Sequence, residues 1–271
     1  MNHSPLFHGQ GHGELGWSLY PSVLIGFGLW TLLYWWANRG KDTPLSQQIA
    51  FHLGTFVGLI ALVSPLDELG DEYLFSAHMV QHLLLMFVTP PLWLLGTPGW
   101  LVDGVVPKRL DPLVKRLTSP ISAYVAFVGA LLFWHTPAAY ELALESEAIH
   151  IFEHLSFIGA ALIGWWPVIG AEDSRIPKPA PPVRMLYLFL LTIPCTALAG
   201  ILTYAKAPLY PFYMAAPRLY GLSALEDLHL GGLVMWLPTH MFLLLALGIT
   251  FFKWFTTADQ KASQDFAKEY S

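Results

Sequence analysis

The chain has 271 residues and a formal net charge of −5; 55% of its residues are hydrophobic and only 12% are charged. Soluble domains carry about 25% charged residues, so this composition excludes an ordinary soluble domain and predicts an all-α, polytopic membrane protein. There is no basic patch of the kind that nucleic-acid binding requires. The single cysteine, Cys195, excludes an intramolecular disulfide and a Cys-X-X-Cys metal site.

The chain divides into three segments. Residues 1–16 form a polar tail with three histidines: His3, His8 and His12. Because this tail has no Lys or Arg before the first apolar run, we do not expect a cleavable signal peptide. The loop charges described below predict that the tail is extracytoplasmic. Residues 17–255 contain seven apolar segments that meet or approach the roughly 20 residues needed to span a bilayer. We predict spans at residues 17–37, 46–64, 72–95, 119–135, 147–168, 183–205 and 225–255. Residues 256–271 form the predicted cytoplasmic tail.

The loops between these segments alternate in charge. The first, third and fifth loops are basic, with Arg39, Lys41, Lys108, Arg109, Lys115, Arg116, Arg175, Lys178 and Arg184. The second and fourth loops are acidic, with Asp67, Glu68, Asp71, Glu72, Glu141, Glu145 and Glu147. Since Lys and Arg are concentrated in cytoplasmic loops, this alternation predicts an N-terminus outside and a C-terminus inside. An even number of spans would break the alternation. For Asp67, Glu68 and Asp71 of the second loop we expect no role beyond solvation.

Two pairs of histidines with four-residue spacing fall within predicted spans. His78 and His82 belong to the third span, and His150 and His154 belong to the fifth. This spacing places both rings of a pair on one face of a helix. An ionisable side chain is costly inside a membrane, so such pairs indicate a functional site.

The predicted orientation places six histidines near one side of the membrane. Four spans carry them: His78, His82, His135, His150, His154 and His229. At about 1.5 Å per residue, His78 and His82 lie roughly 9 and 15 Å below the outer surface. His135 ends the fourth span and His229 begins the seventh, so both are expected close to that surface. We therefore expect all six histidines in the outer half of the helix bundle.

Several imidazole rings at one depth predict a transition-metal site for copper or zinc. The Met79 thioether would favour Cu(I), although core packing also explains that residue. Glu153 and Asp227 are candidates for orienting a ring by accepting its other N–H group. The neighbouring pair Glu226 and Asp227 also suits the start of a helix. For each single histidine, a hydrogen bond between helices is the alternative interpretation.

Several runs of sequence together resemble the seven-span CtaG family of cytochrome c oxidase (haem–copper oxidase) assembly proteins. They are Ser64–Leu66, Ser76–His82, Pro90–Leu92, Trp134–Pro137 with Tyr140 and Glu141, His150–His154, Trp165–Pro167, Gly221–Asp227, Gly231–Gly232 and Met235–Trp236. The resemblance extends from the second predicted span to the seventh. No single run would be specific, whereas the set is.

The resemblance implies a bacterial cytoplasmic-membrane factor for oxidase biogenesis, with copper delivery as the expected chemistry and no catalytic turnover. The matching positions are His78, His82, His135, His150, His154, Glu226 and Asp227. The implied partners are the lipid bilayer, haem–copper oxidase subunits and a periplasmic copper donor.

Two other functions compete with copper delivery. A metal or proton transporter would use membrane histidines as a relay. The inner half of the bundle is poor in ionisable groups, with His52 as the main candidate, so a continuous path across the membrane is hard to draw. A haem-binding redox protein would use histidines from two spans as axial ligands. The four-residue spacing within each pair is too short to ligate two haems stacked across the bilayer.

Overall fold

The computed structural model describes the backbone of residues 16–269 and the side chains of residues 16–258 and of Gln260. His3, His8 and His12 of the N-terminal tail lie outside the described residues. Within the described residues, every element of regular secondary structure is helical. This confirms the predicted all-α class.

Seven long helices follow one another in the part of the chain that the structure describes. They are α1 (Pro21–Asn38), α2 (Leu45–Val63), α3 (Phe75–Leu95), α4 (Pro120–Trp134), α5 (Glu147–Ile169), α6 (Pro181–Thr203) and α7 (Ala224–Glu269). Each begins within a few residues of a predicted span. The long apolar runs of the sequence therefore correspond one to one with the long helices.

The chain is a multi-pass membrane protein with five or six candidate spans. Among the described residues, five helices are long and apolar enough to cross a bilayer: α2, α3, α5, α6 and the first 35 residues of α7. A sixth span results if residues Lys108–Leu117 and α4, which meet at an angle of 65°, count as one. The 18-residue helix α1 is not among these helices. The total of seven spans and the orientation of the two termini therefore stay predictions.

Short elements connect the long helices. Six of them in the described part of the chain are short α-helices or a 3₁₀ helix: Pro65–Glu68, Gly99–Val105, Lys108–Leu110, Asp111–Leu117, Pro137–Glu145 and Pro211–Ala215. Two π-helical turns occupy Leu69–Tyr73 and Leu84–Val88. The second lies within α3, directly before Pro90 and Pro91, which have no N–H group to continue the helical hydrogen bonds. The first lies just before α3, and its residue Asp71 faces His78 of that helix.

Helix α3 occupies the centre of the bundle. It packs against α2, α5 and α7, while α5 also packs against α4 and α6 forms an extensive contact with α7. The approach of α7 to α3 requires a glycine, because a Cβ atom at Gly231 would overlap the Phe75 ring. The beginnings of α3 and α5 and the end of α4 thereby come together, which is where the histidines lie.

Candidate metal site

Five histidines converge at one end of the bundle. The His78 ring centroid lies 5.4 Å from that of His150 and 6.0 Å from that of His154. The His82 centroid lies 5.5 Å from that of His154 and 5.8 Å from that of His135. The histidine pairs of α3 and α5 therefore face each other, with His135 from the end of α4 beside them. Four of the five rings are almost fully buried.

The ligand atoms in this histidine cluster are close enough together to hold one ion. His78, His150, Glu153 and His154 each offer a nitrogen or oxygen atom, and these four atoms all lie within 4.8 Å of one another. Two ligands of one ion, each about 2 Å from the metal, lie up to about 4 Å apart, so small side-chain movements would let this group bind a single ion. His82 adjoins the group, since its Nε2 atom lies 2.7 Å from His78 Nε2 and 3.7 Å from Glu153 Oε1.

Several polar atoms of the cluster are buried without a hydrogen-bond partner among the described residues. They are His82 Nδ1, His135 Nε2, His150 Nε2, His154 Nε2 and Glu153 Oε1. Asp71 Oδ1 and His78 Nδ1, which lie 3.4 Å apart, also have no hydrogen-bond partner. Buried polar atoms in proteins are nearly always paired, and each unpaired one costs about 1–3 kcal/mol. A bound cation would pair these atoms, and a set rich in imidazole nitrogens suits copper or zinc. The residues present therefore fit a transition metal.

His135 is held in one orientation by the main chain of α4. Its Nδ1 atom lies 2.7 Å from the Leu131 carbonyl oxygen and donates to it, so Nε2 carries the lone pair. The Tyr210 hydroxyl donates to the His135 carbonyl oxygen at 3.0 Å. The Leu131 carbonyl and the Tyr210 hydroxyl thus fix the position of His135 and leave its Nε2 atom free.

Asp227 contacts the backbone of α3 and not a histidine ring. Its side chain is fully buried, and Oδ2 accepts a hydrogen bond from the Phe75 N–H at 2.7 Å. Oδ1 accepts from the Ser76 N–H at 3.1 Å and from the Ser76 hydroxyl at 2.5 Å. The first N–H groups of a helix have no partner within it, and a carboxylate there stabilises the helix. Asp227 therefore fixes the start of the helix that carries His78.

The remaining predicted site residues lie apart from the ring contacts. His229 is half-buried and its Nε2 atom donates to the Ala205 carbonyl oxygen at 2.8 Å. Met79 is fully buried in the apolar core. Glu226 is exposed and accepts hydrogen bonds from the backbone N–H and the hydroxyl of Ser223, as in a capping box. The structure thus brings together five of the six predicted histidines; His229 as a ligand stays a prediction.

Asp71 is a member of the cluster that sequence analysis missed. Its Oδ1 atom lies 3.4 Å from His78 Nδ1, and its Oδ2 atom lies 3.5 Å from His150 Nδ1. Burial by itself would raise the pKa of Asp71, but His150 and His78 hold the pKa of this carboxyl below its usual range. The expectation that this acid is only solvated was therefore wrong. Nothing in the linear pattern placed a loop residue between rings of two helices.

Asp67 is a second acid of the same loop that is not solvated. Its side chain is 4% exposed and accepts a hydrogen bond from Gln81 Nε2 at 2.7 Å. Burial and the nearby charge of Asp71 raise the pKa of Asp67 to about 8. Gln81 also donates to the Ala61 carbonyl oxygen at 2.9 Å, so it ties α3 to both the end of α2 and the loop. The loop before α3 is therefore anchored from within.

Sequence comparisons relate this chain to known proteins. A sequence model described as "Cytochrome c oxidase caa3 assembly factor (Caa3_CtaG)" matches residues 28–257. Uncharacterised proteins of Mycobacterium bovis and Mycobacterium tuberculosis are each 24% identical over 257 residues, and one of Mycobacterium leprae is 22% identical over 251 residues. Each of these alignments covers 86% of this chain but 38% of the relative. The chain thus spans about two fifths of the length of these curated relatives.

No solved structure matches this chain. The family match, in contrast, runs from the middle of α1 into α7 and includes every residue of the histidine cluster. The chain therefore belongs to the cytochrome c oxidase caa3 assembly factor family.

Proposed function

We propose that this protein binds copper at the histidine cluster and delivers it to a haem–copper cytochrome c oxidase during assembly. The observation that carries the proposal is the convergence of five imidazole rings, four of which are buried and three of which have an unpartnered Nε2 atom. Imidazole nitrogens suit copper, and the oxidase that the family serves is a copper enzyme. The role is one of stoichiometric binding and transfer, without catalytic turnover.

A cargo site must be accessible from solvent, and this cluster is accessible at one edge. The Asp71 side chain is 25% exposed and the His150 side chain is 15% exposed, whereas His78 is fully buried. Copper would therefore reach the inner nitrogens past Asp71 and His150. An accessible edge next to a buried set of ligands suits an ion that is held and then released to a partner.

We further propose seven spans in a bacterial cytoplasmic membrane, with the N-terminus and the histidine cluster on the outer side. The helix α1 and the bent segment that ends in α4 complete the set of spans. Support comes from the alternation of basic and acidic loops, because Lys and Arg are concentrated on the cytoplasmic side. The copper would then be received outside the cytoplasm, from a periplasmic donor.

The orientation is testable with two single-cysteine variants that differ in their side of the membrane. In a Cys195→Ala background, a membrane-impermeant maleimide should label Glu145→Cys in intact cells. It should label Lys115→Cys only after cell disruption. Both positions are exposed, and α4 lies between them in the chain. The reverse pattern would contradict the orientation, and labelling of both in intact cells would contradict α4 as a span.

Metal analysis of the detergent-purified full chain tests the copper proposal. After loading with Cu(I) and removal of excess metal, we expect near-stoichiometric copper by mass spectrometry and no haem Soret band. A protein that retains no copper would overturn the proposal. A Soret band in the purified protein would favour the haem-binding alternative, and copper uptake into proteoliposomes would favour a transporter.

A further inference from the structure

We propose that Asp71 is a positioning residue that bridges the Nδ1 atoms of His78 and His150 and so turns the Nε2 atoms of both rings toward one metal ion. The proposed function supplies only the identity of that ion as copper. The arrangement of the two rings is a property of the metal-free protein.

The contacts of Asp71 are divided between two helices. One carboxylate oxygen lies 3.4 Å from His78 Nδ1 on α3, and the other lies 3.5 Å from His150 Nδ1 on α5. Both distances are those of ion pairs and are slightly longer than a hydrogen bond. Each carboxylate oxygen thus faces the Nδ1 atom of one ring and is the nearest acceptor that we assign to its N–H group. A carboxylate that accepts the second N–H group of a metal-binding histidine fixes the ring orientation and increases the basicity of the ligand nitrogen.

This contact determines which nitrogen of each ring is free. A neutral imidazole has a single N–H group, so an Nδ1–H directed at Asp71 leaves the lone pair on Nε2. His150 Nε2 is then the buried atom without a partner, and His78 Nε2 is free to accept from His82 Nε2 at 2.7 Å. The opposite tautomer would direct a nitrogen lone pair at the Asp71 carboxylate, which is repulsive.

His135 shows the same arrangement with a different acceptor. Its Nδ1–H donates to the Leu131 carbonyl oxygen, and its Nε2 atom is buried and unpartnered. Three rings from α3, α4 and α5 would therefore present the same nitrogen to the cluster. Asp71 does for His78 and His150 what a main-chain carbonyl does for His135.

The position of Asp71 is built into the fold. It belongs to the π-helical turn Leu69–Tyr73, which lies so close to α3 that a Cβ atom at Gly70 would be 2.9 Å from His78 Cα. The Tyr213 hydroxyl donates to the Gly70 carbonyl oxygen at 2.7 Å. This hydroxyl also lies 3.2 Å from that of Tyr140. The turn is therefore packed against α3 on one side and hydrogen-bonded to Tyr213 of the loop before α7 on the other.

Glu68 provides a matched control within the same loop. It carries the same charge three residues earlier, but its carboxylate accepts a hydrogen bond from the Gly16 N–H at 2.7 Å. Removal of this charge changes the local field as removal of Asp71 does. It leaves the two imidazole contacts intact, so it separates general attraction of cations from positioning of the rings.

The first experiment uses the metal-free full chain in detergent, labelled with ¹⁵N-histidine. The ¹⁵N shifts of His78 and His150, assigned with His78→Gln and His150→Gln, should report neutral rings protonated at Nδ1. In Asp71→Ala both rings should move toward the tautomer protonated at Nε2, and in Glu68→Ala neither should change. If Asp71→Ala leaves both sets of shifts unaltered, the proposal is overturned.

The second experiment measures Cu(I) affinity by competition with a chromophoric chelator. Asp71→Ala should weaken binding about 10–100-fold, the usual cost of removing such a carboxylate, while Glu68→Ala should not change it. Asp71→Asn keeps the shape of the side chain and one acceptor oxygen, so its Cu(I) affinity should lie between those of Asp71→Ala and the wild type. An intermediate affinity would show that a folding defect does not explain the loss in Asp71→Ala. Copper K-edge absorption should report fewer imidazole ligands in Asp71→Ala.

The two experiments separate this proposal from the proposed function. If the wild-type chain binds no copper, copper delivery is wrong, and the ¹⁵N shifts still decide whether Asp71 sets the tautomers. If the wild-type chain binds copper and Asp71→Ala binds it equally well with unaltered shifts, only the role of Asp71 is wrong.

Discussion

The double variant His78→Ala/His154→Ala is expected to lose copper binding and to fail to support oxidase assembly. It removes one imidazole from α3 and one from α5, and these two rings supply two of the four clustered ligand atoms. Removal of a carboxylate that only contacts a metal-binding histidine usually weakens metal binding about 10–100-fold. Loss of two histidines that bind the metal directly should therefore weaken it by more than about 100-fold. Copper content after Cu(I) loading and oxidase activity in complemented cells measure the two effects.

His229→Ala is the matched control for this double variant. His229 is also a predicted ligand, but its Nε2 atom donates to the Ala205 carbonyl oxygen. We expect this variant to retain both copper and oxidase activity. Retention of both properties by His78→Ala/His154→Ala would contradict copper delivery through the cluster. Loss of copper without loss of oxidase activity would separate the metal site from assembly.

Asp227→Ala is expected to produce the largest loss of stability. It leaves the Phe75 and Ser76 N–H groups at the start of α3 without their acceptor, and the buried carboxylate also accepts from the Ser76 hydroxyl. At about 1–3 kcal/mol for each unpaired buried donor, the expected loss is about 3 kcal/mol or more. For a chain of this size this corresponds to a decrease of roughly 6–12 °C in Tm.

Thermal unfolding of the metal-free protein in detergent measures this loss. Glu226→Ala removes the adjacent carboxylate, which is exposed and bonds only within its own helix start to Ser223. Its Tm should therefore change little. Asp227→Ala should also bind copper more weakly, because the start of α3 would lose its anchor and His78 lies only three residues after Phe75. An unchanged Tm in Asp227→Ala would show that these hydrogen bonds do not hold α3 in place.

The positions of the helices could be predicted from the sequence because they depend on local composition. Long apolar runs must form helices in a bilayer, since a helix satisfies its own backbone hydrogen bonds. Prolines at the beginnings of α1, α4 and α6 mark helix starts, because the first turn needs no N–H group there. The four-residue spacing of His78 and His82 likewise places both rings on one face whatever lies opposite.

The membership of the candidate metal site could be predicted only in part. Depth along a span follows from the residue number, so His78, His150 and His135 were all expected in the outer half of the bundle. Depth does not specify rotation about the helix axis or the order of helices in the bundle. His229 shared the predicted depth but bonds to the Ala205 carbonyl oxygen, away from the ring contacts.

The sequence by itself determined the all-α class, the location of the apolar helices and two histidine pairs, each on one helix face. Only the tertiary structure decided that the pairs face each other, that Asp71 lies between His78 and His150, and that Asp227 holds the start of α3. The physical reason is that helix formation and side-chain periodicity are local, with repeats of 3.6 residues. Contacts between α3, α5, α7 and the π-helical turn depend on how separate segments pack, which residue spacing does not encode.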